Sequence, residues 1–493
     1  MSPVLVFCIV LLVLYILIKY NWDRRDLYKL SWKLEGPFAL PIIGNAFFFL
    51  FNSIEDTIPI AFDLLKKYNG ILRGWMGPQL WIFTANPNDI QHILSSQKIT
   101  HKGAAYRFFN PIFGQGLINN NGQLWRMHRK IIVKSFSQDF LSEYMHIFHE
   151  QSKVMVANMQ KEVGKPAFDV MKYVQLCAMD IVGEAVMDVK LNVQSEHNME
   201  VVSSLDNIYM LIHDRILKYW LHPDFIFENT AKGKLQHKVV NYLRNFIQKN
   251  VLRKQEEVSN NNSIKCKSTL ETILHTLNDN PEAMSKQGII DEMITLFAAG
   301  EDSISLQFSW TLLLLALHPE IQDKVYNEIQ SVLGDNENFG RDDLKKLYYT
   351  TMVIKEVSRL FPVAPFIVRE VTEDFPIDKV VLPRGTSVFI GVMYVHRDPS
   401  HWEYPNKFYP EHFLPEAVAK RHPFAFMPFS AGARGCIGKE FAMLCMKSML
   451  VTILRNFQLQ ADGTINDIKL KVDIIARSMN GYNLRLVQRI NTL

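Results

Sequence analysis

The hydrophobic pattern of this chain opens with its longest apolar run. No charge precedes Lys19, and Val4 to Ile18 is apolar throughout. In helical form the stretch Met1–Ile18 would span about 27 Å, close to the hydrocarbon core of a bilayer. Lys19, Tyr20 and Trp22 suit the interface that would follow. A cleaved leader would need a basic residue ahead of the run and a small-x-small site behind it, and neither stands there. Arg24, Arg25, Lys29 and Lys33 come next, so the positive-inside rule puts the remaining chain in the cytoplasm. Gly36 to Asn45 holds Pro37 and Pro41 and predicts a stiff, non-helical connector.

Beyond it the period changes repeatedly. Alternation predicts strands at Ile71–Met76 and Leu80–Thr84, with turns at Gly77-Pro78 and Asn86-Pro87. Residues 140–255 read as successive helices, and Met199–Trp220 and Gly233–Lys254 flank an apolar connection at 221–227. A long helical pattern runs from Ser285 to Leu317 and stops at Pro319; it would extend about 50 Å. Asp342–Leu360 is again helical, Val380–Leu382 and Val388–Met393 read as strands, and Asn480-Gly481 has hairpin chemistry. The whole predicts a mainly α fold with a smaller β-sheet part.

Composition narrows this little. The 493 residues are 48% hydrophobic and 21% charged, as in an ordinary globular protein. After residue 45 there is no Pro/Ser-rich linker, repeat or long charge block, which favours one large domain. A net charge of +4 argues for no nucleic-acid partner. Five cysteines, odd in number and without metal spacing, fit a reducing compartment.

Candidate chemistry concentrates in Pro428–Gly438, where Cys436 stands on a glycine-rich loop before the helix-forming run Lys439–Leu444. A helix start favours a thiolate, Gly432, Gly435 and Gly438 allow close approach of something flat, and Arg434 can meet its negative group. A lone cysteine can equally be a small buried hydrophobe. In the middle of the long helix, Ala298-Ala299-Gly300-Glu301-Asp302-Ser303 places small residues before acids and an alcohol; Ser303 can bond back to a carbonyl and bend the helix. Trp125 and Arg129 share one helix face, with His128 between them on the surface side. Glu356 and Arg359 are i,i+3 partners. His396 and His401 are isolated loop histidines and are not read as metal ligands.

The loop pattern Phe429-x-x-Gly432-x-Arg434-x-Cys436-x-Gly438 resembles the haem-thiolate loop of the cytochromes P450, and the likeness extends from about residue 36 to the end. Gly116-Leu117-Ile118 and Phe413–Glu416 look closest to the fourth family and its insect relatives. The resemblance implies the cytochrome P450 fold behind one N-terminal transmembrane helix. It divides the chain into an anchor (1–20), a basic linker and proline-rich hinge (21–45) and a catalytic domain (46–493). It implies haem b (iron protoporphyrin IX), non-covalent except for the Cys436–iron bond, since Ala299 stands where some relatives carry an esterifying glutamate. Phe429 and Gly438 belong to the same cofactor loop. Trp125, Arg129, Arg369 and Arg434 would bind propionates. Asp302 and Ser303 would relay protons, with Glu301 facing elsewhere and Ser303 replacing the usual threonine. Glu356 and Arg359 would form a structural pair, with His412 in the place of a third-arm arginine. The 221–227 connection would be a lid touching the bilayer, and the Asn480-Gly481 turn would reach the distal pocket.

The implied activity is insertion of one atom of O2 into a lipophilic small molecule such as a fatty acid, hydrocarbon, hormone or xenobiotic. Electrons would come from NADPH through NADPH–cytochrome P450 reductase, with cytochrome b5 as an optional second donor. The implied place is the endoplasmic reticulum membrane, catalytic domain toward the cytoplasm. Two other readings stand beside it: an isomerase or dehydratase on the same fold, and a non-catalytic haem-binding membrane protein.

Overall fold

One helix organises the interior. In the computed structural model, which describes residues 3–40, 43–48, 54–260, 266–378 and 380–489, it runs from Lys286 to Leu317. Ser285 caps it, its hydroxyl accepting from Gly288 N at 3.0 Å, and Pro319 begins the next helix, Pro319–Leu333. Nearly every side chain from Gly288 to Ala316 is buried, as expected of a helix apolar on all faces. Met171–Met187 packs along it, and Lys439–Asn456 packs against Met145–Met159. These helices enclose the larger core. A smaller one, with Leu80, Ile82, Val388 and Ile390, lies under a four-stranded sheet.

That sheet has the order Ile71–Met76, Gln79–Thr84, Ser387–Ile390, Ile367–Glu370. Its middle pairing is parallel and the outer two are antiparallel. The fold is mainly helical with small sheets. Preceding it, Pro3–Asp23 is an exposed helix long and apolar enough to cross a membrane. Arg25–Lys33 is also helical and docks on the sheet: Trp75 Nε1 donates to Ser31 Oγ at 2.9 Å, and Arg73 donates to Ser31 O and Pro37 O. Pro41 and Ile42 of the proline-rich stretch lie outside the described residues.

Several boundaries differ from the sequence pattern. Asn86 is not only a turn residue; it caps the helix Pro87–Ser95. The Asp342–Leu360 pattern splits into Arg341–Lys345 and Tyr348–Leu360. The strand expected at Val388–Met393 ends at Ile390, because Gly391 N turns to Thr84 O and Val392–Val395 coils into a helical turn. The hairpin sits earlier than Asn480-Gly481. Ile475–Ser478 pairs with Leu470–Asp473 around Ile474, whereas Asn483–Gln488 pairs with Phe457–Gln460 and Phe168–Asp169. Gly481 is needed at that crossover between sheets: its φ is +76°, and an added Cβ would come 2.7 Å from Asp169 Oδ2.

Candidate active site

The cysteine loop is closed by its own backbone. Cys436 N donates to Phe429 O and Gly435 N to Gly432 O, each at 2.9 Å. Gly432 serves the loop's seat and not a cofactor: φ is +67°, and a Cβ there would lie 1.8 Å from Leu94 O. Gly435 and Gly438 instead line a cavity of about 390 Å³. Cys436 opens onto the same cavity, just before the helix that begins at Lys439. Burial pushes its thiol up; the Gly438 N–H, Arg129 and Lys439 pull the other way without cancelling it. A coordinated metal would deprotonate it outright.

The cavity lining has an apolar part and a cationic cluster. Ala299, Gly300, Ser303 and Ile304 of the long helix line it, as do Val363, Ala364 and Phe366. Trp125, Arg129, Arg369, Arg434 and Lys102 also line it, gathered around Arg434. Arg434 donates to Thr100 O (2.8 Å), Leu117 O (3.3 Å), Asn121 Oδ1 (2.8 Å) and Asn120 O, with its guanidinium 4.1 Å from the Trp125 ring centroid. Arg129 donates to Gly435 O at 2.9 Å and Arg369 to Val368 O at 2.9 Å. Burial and the Arg369 charge push the Arg434 guanidinium down to about 9. Burial, then Arg369 and Arg434, push the Lys102 ammonium well below its usual range. Among the described residues no carboxylate lines this cavity. Two buried arginines, Arg369 and Arg434, with Lys102 and Arg129 half-buried beside them and no carboxylate in the described lining, are unfavourable unless an anion completes them. Thiol, apolar residues and cationic cluster together fit a largely apolar group that carries anionic substituents and a thiol-seeking metal. Lys102 had no motif to mark it; only the fold brings it beside Arg369 and Arg434.

Of the two residues expected to relay protons, only Ser303 lines the cavity. Asp302 turns away from it, its Oδ1 accepting from Arg477 Nη2 at 2.5 Å. Glu301 is buried beside it and outside the lining; burial, then Asp302 and Asp206, hold its carboxyl well above the usual range. Ser305, rather than Ser303, bonds back along the helix, to Asp302 O at 3.1 Å.

The surface placement of His128 is wrong. It is 2% exposed, and its Nδ1 lies 2.6 Å from Glu292 Oε1. The partner is 164 residues away, on the long helix, so local periodicity could not reveal it. Glu356 and Arg359 form a fully buried pair, with bonds of 2.8 and 2.7 Å. His412 Nδ1 is 3.1 Å from Glu356 Oε1, and Arg421 donates to His412 O with its guanidinium 3.8 Å from the Trp402 ring centroid. His396 is held by backbone: Met427 N donates to its Nε2 at 2.9 Å.

The family model for Cytochrome P450 matches residues 34–484. Cytochrome P450 4c3 of Drosophila melanogaster is 33% identical, covering 99% of this chain and 95% of its own length. Cytochrome P450 4c21 of Blattella germanica is 32% identical over 95% of each chain. Cytochrome P450 4V2 of Homo sapiens is 30% identical over 95% of this chain and 93% of its own.

Proposed function

The chain belongs to the cytochrome P450 family, as a monooxygenase that binds haem b through a cysteine thiolate and works with a redox partner, a substrate and O2; from there we propose that Cys436 is the iron ligand, that the substrate is a lipophilic small molecule, and that NADPH–cytochrome P450 reductase delivers the electrons. Cytochrome b5 fits as an auxiliary donor. The observation that carries this reading is a cavity lined by Cys436, a cluster of four basic side chains and many apolar residues, with no carboxylate among the described lining residues. When bound, the haem supplies O2 activation, favoured by the electron-rich thiolate.

The chain's own residues do the rest. Arg129, Arg369, Arg434 and Lys102, with Trp125 as a neutral donor, hold the two propionates. Phe429 and Gly438 shape the loop around the sulfur. The apolar wall excludes water and orients an apolar substrate. Ser303 presents a hydroxyl to the cavity, and Asp302, paired with Arg477 outside the lining, would resupply its proton only on release from that pair. Ser303 keeps the alcohol but lacks the threonine methyl that would fix its rotamer. The division into anchor, linker and catalytic domain is retained, with 1–20 in the endoplasmic reticulum membrane and the catalytic domain toward the cytoplasm. Trp220, Phe225 and Ile226 stand exposed on the 221–227 lid and its flank, which supports bilayer contact there.

The test is NADPH-dependent O2 consumption by the purified protein, with and without added reductase, over panels of lipids and xenobiotics. Reductase-dependent consumption matched by an oxygenated product is the expected result. Product formation from a peroxide with no reductase would point to an isomerase, and haem binding with neither activity would point to a non-catalytic carrier.

A further inference from the structure

Two adjacent carboxylates on the long helix both hold one loop. Asp291 Oδ2 accepts from Gln115 N at 2.8 Å, and Glu292 Oε2 accepts from Leu117 N at 2.9 Å. The loop backbone is pressed against the helix. A Cβ at Gly114 would lie 2.0 Å from Asp291 Oδ2, and one at Gly116 would lie 1.9 Å from Thr295 Oγ1. The other Glu292 oxygen takes His128 Nδ1 at 2.6 Å, and Asp291 Oδ1 takes Arg244 Nη1 at 2.8 Å. Glu292 and His128 are 0% and 2% exposed, so their interaction is unscreened by solvent.

The far side of the same loop meets the cationic cluster of the cavity. Leu117 is held twice, by its N–H to Glu292 and by its carbonyl to Arg434. Asn120 O and Asn121 Oδ1 also accept from Arg434. One residue, through its two flanking peptide groups, therefore links a buried carboxylate to a cavity-lining cation. We propose that Glu292 and His128 are positioning residues for the haem cradle: the Glu292 carboxylate, oriented by His128, fixes the Leu117 backbone by its N–H, and the carbonyl of the same residue in turn orients the Arg434 guanidinium. The inference rests on the reading that Arg434 meets a haem propionate.

Glu292→Gln keeps shape but not function. With its oxygen on His128, its amide N–H groups face the Leu117 N–H, donor against donor. His128→Asn keeps a donor near the Nδ1 position, while His128→Phe keeps bulk without one. The readout is the rate at which purified holoprotein loses haem to excess apomyoglobin, followed by absorbance. Glu292→Gln and His128→Phe should each lose haem about tenfold faster, and His128→Asn should stay within about twofold of wild type.

The discriminating background is Arg434→Lys, which keeps the cation but cannot fork to the Leu117 and Asn120 carbonyls. There Glu292→Gln should accelerate loss by less than about twofold, because the path through Arg434 is already cut. Equal acceleration in both backgrounds would overturn the inference, as would a lowered melting temperature with unchanged haem loss. If Glu292→Gln does not fold, the His128→Asn and His128→Phe pair decides the matter in the same two backgrounds. Should Arg434→Lys alone lose haem no faster than wild type, the propionate reading itself falls, and this inference with it.

Discussion

Two places in this molecule bury arginine, and they solve the problem differently. At Arg359 all five guanidinium N–H groups are used: two on the Glu356 carboxylate and three on the carbonyls of His396, Pro405 and Lys407. Glu356 is in turn saturated by Tyr409 N and His412. Around the cavity, Arg434 makes four hydrogen bonds, all to neutral oxygens, and Lys102, Arg129 and Arg369 add charge without a carboxylate among the described lining residues. Bonding and charge compensation are separate requirements. The Arg359 site meets both and needs nothing further; the cavity meets the first and leaves the second to a ligand.

The comparison is broken most severely by removing the internal counter-ion. Glu356→Gln should cost about 3–5 kcal/mol of unfolding free energy, with or without haem, because Arg359 keeps its burial and loses its partner. Urea denaturation of both forms checks this; a loss seen only in the haem-bound form would make the pair part of the cofactor site. Arg434→Ala should act the other way round. It should weaken haem retention about tenfold or more, while the haem-free form loses less stability than in Glu356→Gln, since removal of an uncompensated cation offsets part of the cost of the four acceptors left unbonded. Haem-to-protein ratio and the melting curve of the haem-free form are the measurements.

The Arg359 site also sets a pH dependence. His396 Nε2 accepts from Met427 N and its Nδ1 lies 3.3 Å from Arg359 O, so the ring is neutral with its proton on Nδ1. Burial, then the Arg359 charge, depress it to about 3. A depressed folded value means that the unfolded chain binds the extra proton. The contribution is present in full above the ordinary histidine value and is lost as pH falls from about 6.5 toward 3, by up to about 1.4 kcal/mol per pH unit. His396→Gln should flatten the stability profile in that window, read by denaturation at stepped pH. The smallest effect is expected at the apolar wall. Ser303→Ala should leave haem binding intact and raise peroxide formed per product by less than the roughly 100-fold at the low end for a lost proton donor, because water can stand in for the hydroxyl. Unchanged coupling would make the hydroxyl structural.

The sequence made the self-contained features easiest to read. The helix start near Ser285, the stop at Pro319 and the strand Ile71–Met76 are local, and the pattern predicted them within a residue or two. Spaced motifs gathered Trp125, Arg129, Arg369, Phe429, Arg434, Cys436, Gly438 and Ser303, all of which the fold brings to one cavity. What stayed hidden depends on partners far along the chain. His128 looked exposed because Glu292 is out of local view; Lys102 had no motif; and the Arg477 grip on Asp302 joins a late strand to the long helix. Gly432 misled for a different reason: its conformation is demanded by Leu94, a neighbour only in the folded state.

The central claim is that an anionic, metal-bearing cofactor completes the cavity at Cys436. The direct measurement is the carbon-monoxide difference spectrum of the reduced protein, wild type against Cys436→Ser. A serine hydroxyl stays protonated and is a poor ligand for iron beside a thiolate. The wild type should show the thiolate-type Soret band and Cys436→Ser should lose it; a Cys436→Ser protein that kept the wild-type band would contradict the account.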